Sequence, residues 1–70
     1  MVREAALRVR GHGEDVTSYS VLNELKRYHT EVEMTRKGIE QIMKYAFWAR
    51  PLGQLRNPMT NGMLRTYEVL

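Results

Sequence analysis

Apolar positions in this chain recur with the period of a helix in three places and alternate like a strand in a fourth. Val2, Ala5, Ala6 and Val9 fall at i, i+3, i+4 and i+7, which predicts a first helix over 2–10, stopped by the glycines of GHG at 11–13. Leu7, Arg8, Val9 and Arg10 also alternate strictly, so a short strand competes with the helix there. Val21, Leu22, Leu25 and Tyr28 form the inward face of a second helix over 17–29, leaving Asn23, Glu24, Lys26 and Arg27 outward. Thr17 or Ser18 supplies its N-cap, and Val16 is placed to pack on its first turn. Ile39, Ile42, Met43, Ala46 and Phe47 mark the buried face of a third helix over 35–49 that starts at the N-cap Thr35.

The connections are less regular. YHTEVEM, between the second and third helices, has no Gly or Pro, and Thr30 with Glu33 fits a capping box, giving room for one extra helical turn. Gly38 costs about 1 kcal/mol relative to Ala in a helix. Simple tolerance in a first turn and close approach of another backbone are both open as reasons for it. Pro51 and Gly53 in ARPLG end the third helix. The remaining residues read as two extended runs over about 54–69, turning at Asn61-Gly62, the pair suited to a type I′ hairpin, with a bend at Asn57-Pro58. Met63, Arg65, Tyr67 and Val69 share one face of the second run, which directs Tyr67 and Val69 to the core and Arg65 toward the tip. The expected fold class is mainly α with a C-terminal β-hairpin (α+β), in a single domain over 1–70.

At 70 residues the core is small, because a chain of this size buries only roughly 60% of its unfolded surface. The sequence has no cysteine, so it offers no disulfide, thiolate metal site or thiol nucleophile. His12 and His29 give no metal spacing and are expected on the surface; no cofactor is expected. Without a phosphate loop, a metal cluster or a nucleophile beside a base, the chain is not expected to be an enzyme. MVREAALRVRGHGEDV resembles no leader, and no run approaches the about 18 apolar residues of a membrane span, so an intracellular, cytoplasmic protein with no membrane partner is expected.

Charge adds direction. Residues 1–33 carry five cations against six acids, a net of −1, whereas residues 34–70 carry six against two, a net of +4. A polyanion would be drawn to the second half of this small basic protein and kept from the first.

The order of VTSYSVLNELKRY, TRKGIEQIMKYAFW and GQLRNPMTNGMLRTYEVL resembles a winged helix-turn-helix domain over nearly the whole chain. The resemblance implies a three-helix winged helix-turn-helix fold and a sequence-specific DNA-binding regulator of transcription. It puts helix 35–48 in the major groove and wing 54–69 on the backbone or in the minor groove. The implied DNA-binding residues are Thr35, Arg36, Lys37, Glu40, Gln41 and Lys44 on the helix, and Arg56, Asn57, Thr60, Asn61 and Arg65 on the wing. The side-chain chemistry agrees: Arg and Lys pair with guanine, Gln with adenine, and Glu accepts from cytosine. Lys44, Arg50, Arg56 and Arg65 suit phosphates. A homodimer would widen the few base pairs that one small reading head covers.

Two other readings compete. A small interaction protein on a winged-helix scaffold would inhibit a partner protein through Tyr45, Trp48 and Met59, although aromatic residues such as Tyr45 and Trp48 at a helix end more often cover the core beneath the hairpin. Met43 and Met63 are expected to fill the core, with Met34 and Met59 unassigned. A strand at ALRVRG would instead make a ribbon-helix-helix repressor that reads DNA with Arg8 and Arg10, leaving the hairpin without a role.

Overall fold

The computed structural model describes residues 1–31, 33–57 and 60–70. Three helices, α1 (Val2–Gly11), α2 (Ser18–Tyr28) and α3 (Arg36–Tyr45), precede two antiparallel strands, β1 (Ala49–Arg56) and β2 (Met63–Val69). The fold is therefore mainly helical with a C-terminal hairpin.

α1 buries its expected stripe of Val2, Ala5, Ala6 and Val9. The strand alternative for Leu7–Arg10 is overturned, and the ribbon-helix-helix arrangement loses the strand it requires. Ala5 and Ala6 are fully buried, as suits a helix packed closely on its neighbour. Arg3 and Arg10, seven residues apart on one side of α1, instead donate to the carbonyls of Leu70 (2.9 Å) and Val69 (2.6 Å), tying the helix to the end of β2. The helix closes with paired bonds from Gly13 N–H to Arg10 O (3.0 Å) and from Glu14 N–H to Val9 O (3.3 Å), with Gly13 at φ 77°. This is a Schellman closure, in which the left-handed residue is the one that needs glycine.

The connection to α2 is tied down by Val16, which is buried and whose carbonyl accepts the Tyr67 N–H at 2.9 Å. Thr17 and Ser20 then cap α2 reciprocally: Thr17 Oγ1 accepts from Ser20 N–H (3.1 Å) and Ser20 Oγ accepts from Thr17 N–H (2.8 Å). Val21 and Leu25 are buried as expected, but two neighbours exchange places. Glu24 is buried rather than outward, because Arg8 Nε of α1 lies 3.3 Å from its carboxylate. Tyr28 is exposed rather than inward, and its ring lies 4.5 Å from the same guanidinium. The second turn of the α1–α2 contact is thus a charged pair with an aromatic cover, where periodicity alone expected an apolar seam.

After α2 the chain makes a turn at 30–31, with no extra helix among the described residues of the connection. Thr35 caps α3, its Oγ1 accepting from Gly38 N–H at 3.1 Å. A Cβ built on Gly38 would meet only that hydroxyl, at 3.5 Å, so no backbone of this chain requires glycine there. α3 ends four residues before the expected 49: Ala46 is already extended (ψ 134°) and Ala49 pairs with Val69 in the sheet. Only Ile39 and Met43 of the expected apolar stripe are buried; Ile42 sits at its edge and Phe47 is 85% exposed. Trp48 takes over the covering role against the core.

The hairpin also begins earlier than the expected 54, so Pro51 and Gly53 lie inside β1. Pro51 stands opposite Tyr67. Since the Tyr67 N–H points away to Val16, this is a non-hydrogen-bonded pair, and the N–H that proline lacks would have faced outward. The register shifts between Pro51 and Gly53, making Leu52 the extra residue of a bulge. Tyr67 and Val69 reach the core as expected, whereas Met63, expected to fill it, is exposed at the end of β2 nearest the hairpin tip. Arg56 and Met63 are the last pair, and the tip closes through Asn57 N–H to Gly62 O (2.7 Å) and Asn61 N–H to Asn57 O (2.8 Å). Asn61 has φ 62° but Gly62 is not left-handed, so the tip is a wider loop than a type I′ turn. Pro58 and Met59, and with them part of the expected Asn57-Pro58 bend, lie outside the described residues.

The two glycines after α1 separate conformation from space. Neither Gly11 nor Gly13 has anything within 4 Å of a built Cβ, but only Gly13 is left-handed. Gly13→Ala is expected to destabilise the fold by about 1 kcal/mol and Gly11→Ala to stabilise it by up to about 1 kcal/mol, read by urea unfolding.

Candidate nucleic-acid interface

The polar side of α3 carries Lys37, Gln41 and Lys44 at i, i+4 and i+7, one exposed stripe along the helix. β1 and β2 stand across from it. By register, Met63, Arg65 and Tyr67 of β2 share a face with Gln54 and Arg56 of β1. Between helix and sheet lies an open groove of about 280 Å³, lined by Glu40, Gln41 and Lys44 on one side and by Gln54, Met63, Arg65 and Tyr67 on the other. The groove unites four of the residues singled out from sequence: Glu40, Gln41, Lys44 and Arg65.

The other expected residues lie around it. Thr35 is committed to the α3 cap. Arg36 reaches Glu40 at 3.5 Å and lies 4.9 Å from the Tyr19 ring, so it is held against the helices. Lys37 continues the exposed stripe toward the start of α3. Arg56, Thr60 and Asn61 are exposed at the hairpin tip, where Thr60 Oγ1 accepts from Gly62 N–H at 3.3 Å. Asn57 is buried, its backbone closing the tip. Arg50, expected at a phosphate, is instead bound to Glu68 at 2.6 Å across the strand pair.

These contacts redistribute the charge of the second half. Its two acids, Glu40 and Glu68, are each paired with an arginine, Arg36 and Arg50. Lys37, Lys44, Arg56 and Arg65 are exposed and make no ion pair among the described residues. The net charge of this half thus sits on four side chains along α3 and the hairpin. A second groove, beside α2, is lined by Glu14 and Glu24 together with Ser20, Asn23 and Arg27, and its carboxylates give it the wrong sign for a polyanion.

Of the residues weighed for a protein partner, Tyr45 is 78% exposed, Trp48 is half-buried against the core, and Met59 lies outside the described residues. Sequence reasoning missed Gln54, Met63 and Tyr67 as groove residues. The alternation of β2 assigns Tyr67 to the core alone, and Gln54 shares its face only because the Leu52 bulge changes the parity of β1. Gly53 within a strand was the available sign of that bulge. His12 is exposed, and His29 is half-buried with its Nδ1 3.8 Å from Glu31. Among the described residues no group of three His, Asp or Glu side chains is placed to hold a metal ion, and no helix is long and apolar enough to cross a membrane.

Because Thr35 anchors the start of the lysine stripe, Thr35→Ala is expected to lower stability by about 1 kcal/mol and to speed amide exchange in the first turn of α3, while the first turn of α2 keeps its protection. Comparison of the chain with family models, with curated proteins and with solved structures finds no match.

Proposed function

We propose that this protein binds double-stranded DNA as a sequence-specific regulator of transcription, in the manner of a winged helix-turn-helix domain and inside the cell. The observation that carries the reading is the placement of the four cations without ion pairs. Lys37 and Lys44 lie on the exposed stripe of α3, and Arg65 and Arg56 on the hairpin face that continues it. From Lys37 to Lys44 the helix rises about 10 Å, which matches a major groove about 12 Å wide.

In this reading α3 enters the major groove. Gln41 reads a base edge from the middle of the stripe, and Glu40, steadied by Arg36, accepts from cytosine. Lys37, Lys44, Arg56 and Arg65 neutralise phosphates, and the hairpin tip with Thr60 and Asn61 follows the adjacent backbone or minor groove. The role is binding without catalysis, and a homodimer would extend the site. A second reading draws on the exposed rings of Tyr45 and Phe47 at the end of α3, which suit a protein partner.

Fluorescence anisotropy on a mixed-sequence duplex, repeated across salt concentrations, decides between them. Four neutralised phosphates give a slope of log affinity against log salt of about −3.6. Lys37→Ala and Lys44→Ala should each reduce that slope by about 0.9, whereas Arg50→Ala should leave it unchanged. Absence of salt-sensitive binding at low salt overturns the DNA reading and leaves the Tyr45 and Phe47 surface as the place to seek a partner.

A further inference from the structure

Phe47 and Tyr45 are the most exposed large apolar side chains among the described residues, at 85% and 78%. The period that buries Ile39 and Met43 would carry Phe47 inward if α3 continued. The chain instead turns extended at Ala46, and Trp48 covers the core. The turn that holds Phe47 outward is fixed on both sides, by Ala49 N–H to Ala46 O (3.4 Å) and by Leu70 N–H to Trp48 O (2.7 Å). A ring held outward in this way forgoes the stabilisation that burial would give it.

Each ring has a cation beside one face. Lys44 Nζ lies 5.6 Å from the centroid of the Tyr45 ring, and the Arg3 guanidinium, which donates to the carbonyl of Leu70, lies 5.8 Å from that of Phe47. Neither cation makes an ion pair with a carboxylate among the described residues. Two residues of chain span at most about 7 Å. That is the length of two nucleotides of a stacked strand, at about 3.4 Å each.

We infer that Tyr45 and Phe47 form a stacking platform for unpaired bases of a single-stranded nucleic acid, with Lys44 and Arg3 taking the adjacent phosphates. The open face of each ring stacks on a base, a contact that tolerates any sequence because every base has a π-face. Charge favours this occupant over an apolar protein segment. Such a segment would strip water from two cations and return no charge, whereas a strand brings one phosphate with each base. The inference does not rest on the duplex reading, with which it shares only Lys44.

The test is fluorescence anisotropy with two probes of equal length, a single-stranded oligothymidylate and an abasic strand that keeps the phosphates without the bases. Wild type is expected to bind the oligothymidylate at least about tenfold more tightly than the abasic strand. Phe47→Ala and Tyr45→Ala should each lower oligothymidylate affinity by about five- to 150-fold. Abasic affinity and the salt slope should stay as in wild type for Phe47→Ala, because an uncharged ring releases no counterion. Phe47→Trp should retain binding, and Phe47→Leu, apolar but without a ring, should lose it as Phe47→Ala does. Equal affinity of wild type for the two probes overturns the inference, as does Phe47→Leu binding the oligothymidylate as tightly as wild type. Absence of oligothymidylate binding also overturns it, and leaves the rings to a protein partner. Duplex binding keeps the two readings apart. Phe47→Ala that loses the oligothymidylate and keeps the duplex supports the inference, as does wild type that binds the oligothymidylate but no duplex, with the duplex reading then gone. Equal losses on oligothymidylate, abasic strand and duplex overturn it, by showing that the ring does not contact bases.

Discussion

The hydrogen bond from the Tyr67 amide to the Val16 carbonyl sets which way the hairpin faces, and much of the molecule follows from that choice. With the Tyr67 amide turned outward to the α1–α2 connection, Tyr67 and its opposite, Pro51, form a pair that exchanges no bond, and proline costs the ladder nothing there. The Tyr67 and Val69 side chains are committed to the helices by the same geometry, and Arg65 and Met63, two and four residues earlier, to the space beside α3. α1 reinforces the arrangement through Arg3 and Arg10, which spend their donors on the last carbonyls of β2. The hairpin is therefore fixed at its base by contacts to α1 and to the α1–α2 connection.

Charge in this chain is divided between holding the fold and remaining available. Arg8 with Glu24 joins α1 to α2, Arg36 with Glu40 steadies the start of α3, and Arg50 with Glu68 joins the strands. The Arg8–Glu24 contact is close in distance but not aligned as a hydrogen bond, since both Arg8 Nε and the Glu24 oxygen nearest it lack a well-directed partner. It acts as a Coulombic contact, with the Tyr28 ring over the guanidinium. A small domain has few apolar residues to spend, and here the largest fully buried side chains are no bigger than Leu25, Ile39 and Met43. Polar pairs and arginine–carbonyl bonds take up part of the task of fixing neighbours.

What could be read from the sequence was local. The stripe of α1, the Thr17 and Thr35 caps, and the alternation that buries Tyr67 and Val69 all depend on residues within a few positions of one another. What could not be read depended on distant partners. α3 stops at Tyr45 because Ala49 must meet Val69, although its apolar period runs on to Phe47. Glu24 turns inward because Arg8 waits on another helix. In the candidate site, the α3 residues were legible from periodicity, but the face of β1 was not, because one extra residue at Leu52 reverses the parity of all that follow.

That bulge also bears on how the molecule meets its own copies. β1 is the outer strand of a two-stranded sheet, exposed along nearly its whole length and carrying Leu52 and Leu55, a composition that invites strand-to-strand stacking. An incoming strand would find no donor at Pro51 and a broken spacing one residue later, so a continuous ladder cannot run past the middle of the edge. The irregularity that turns Gln54 toward α3 thus also interrupts the template on which fibrils would grow.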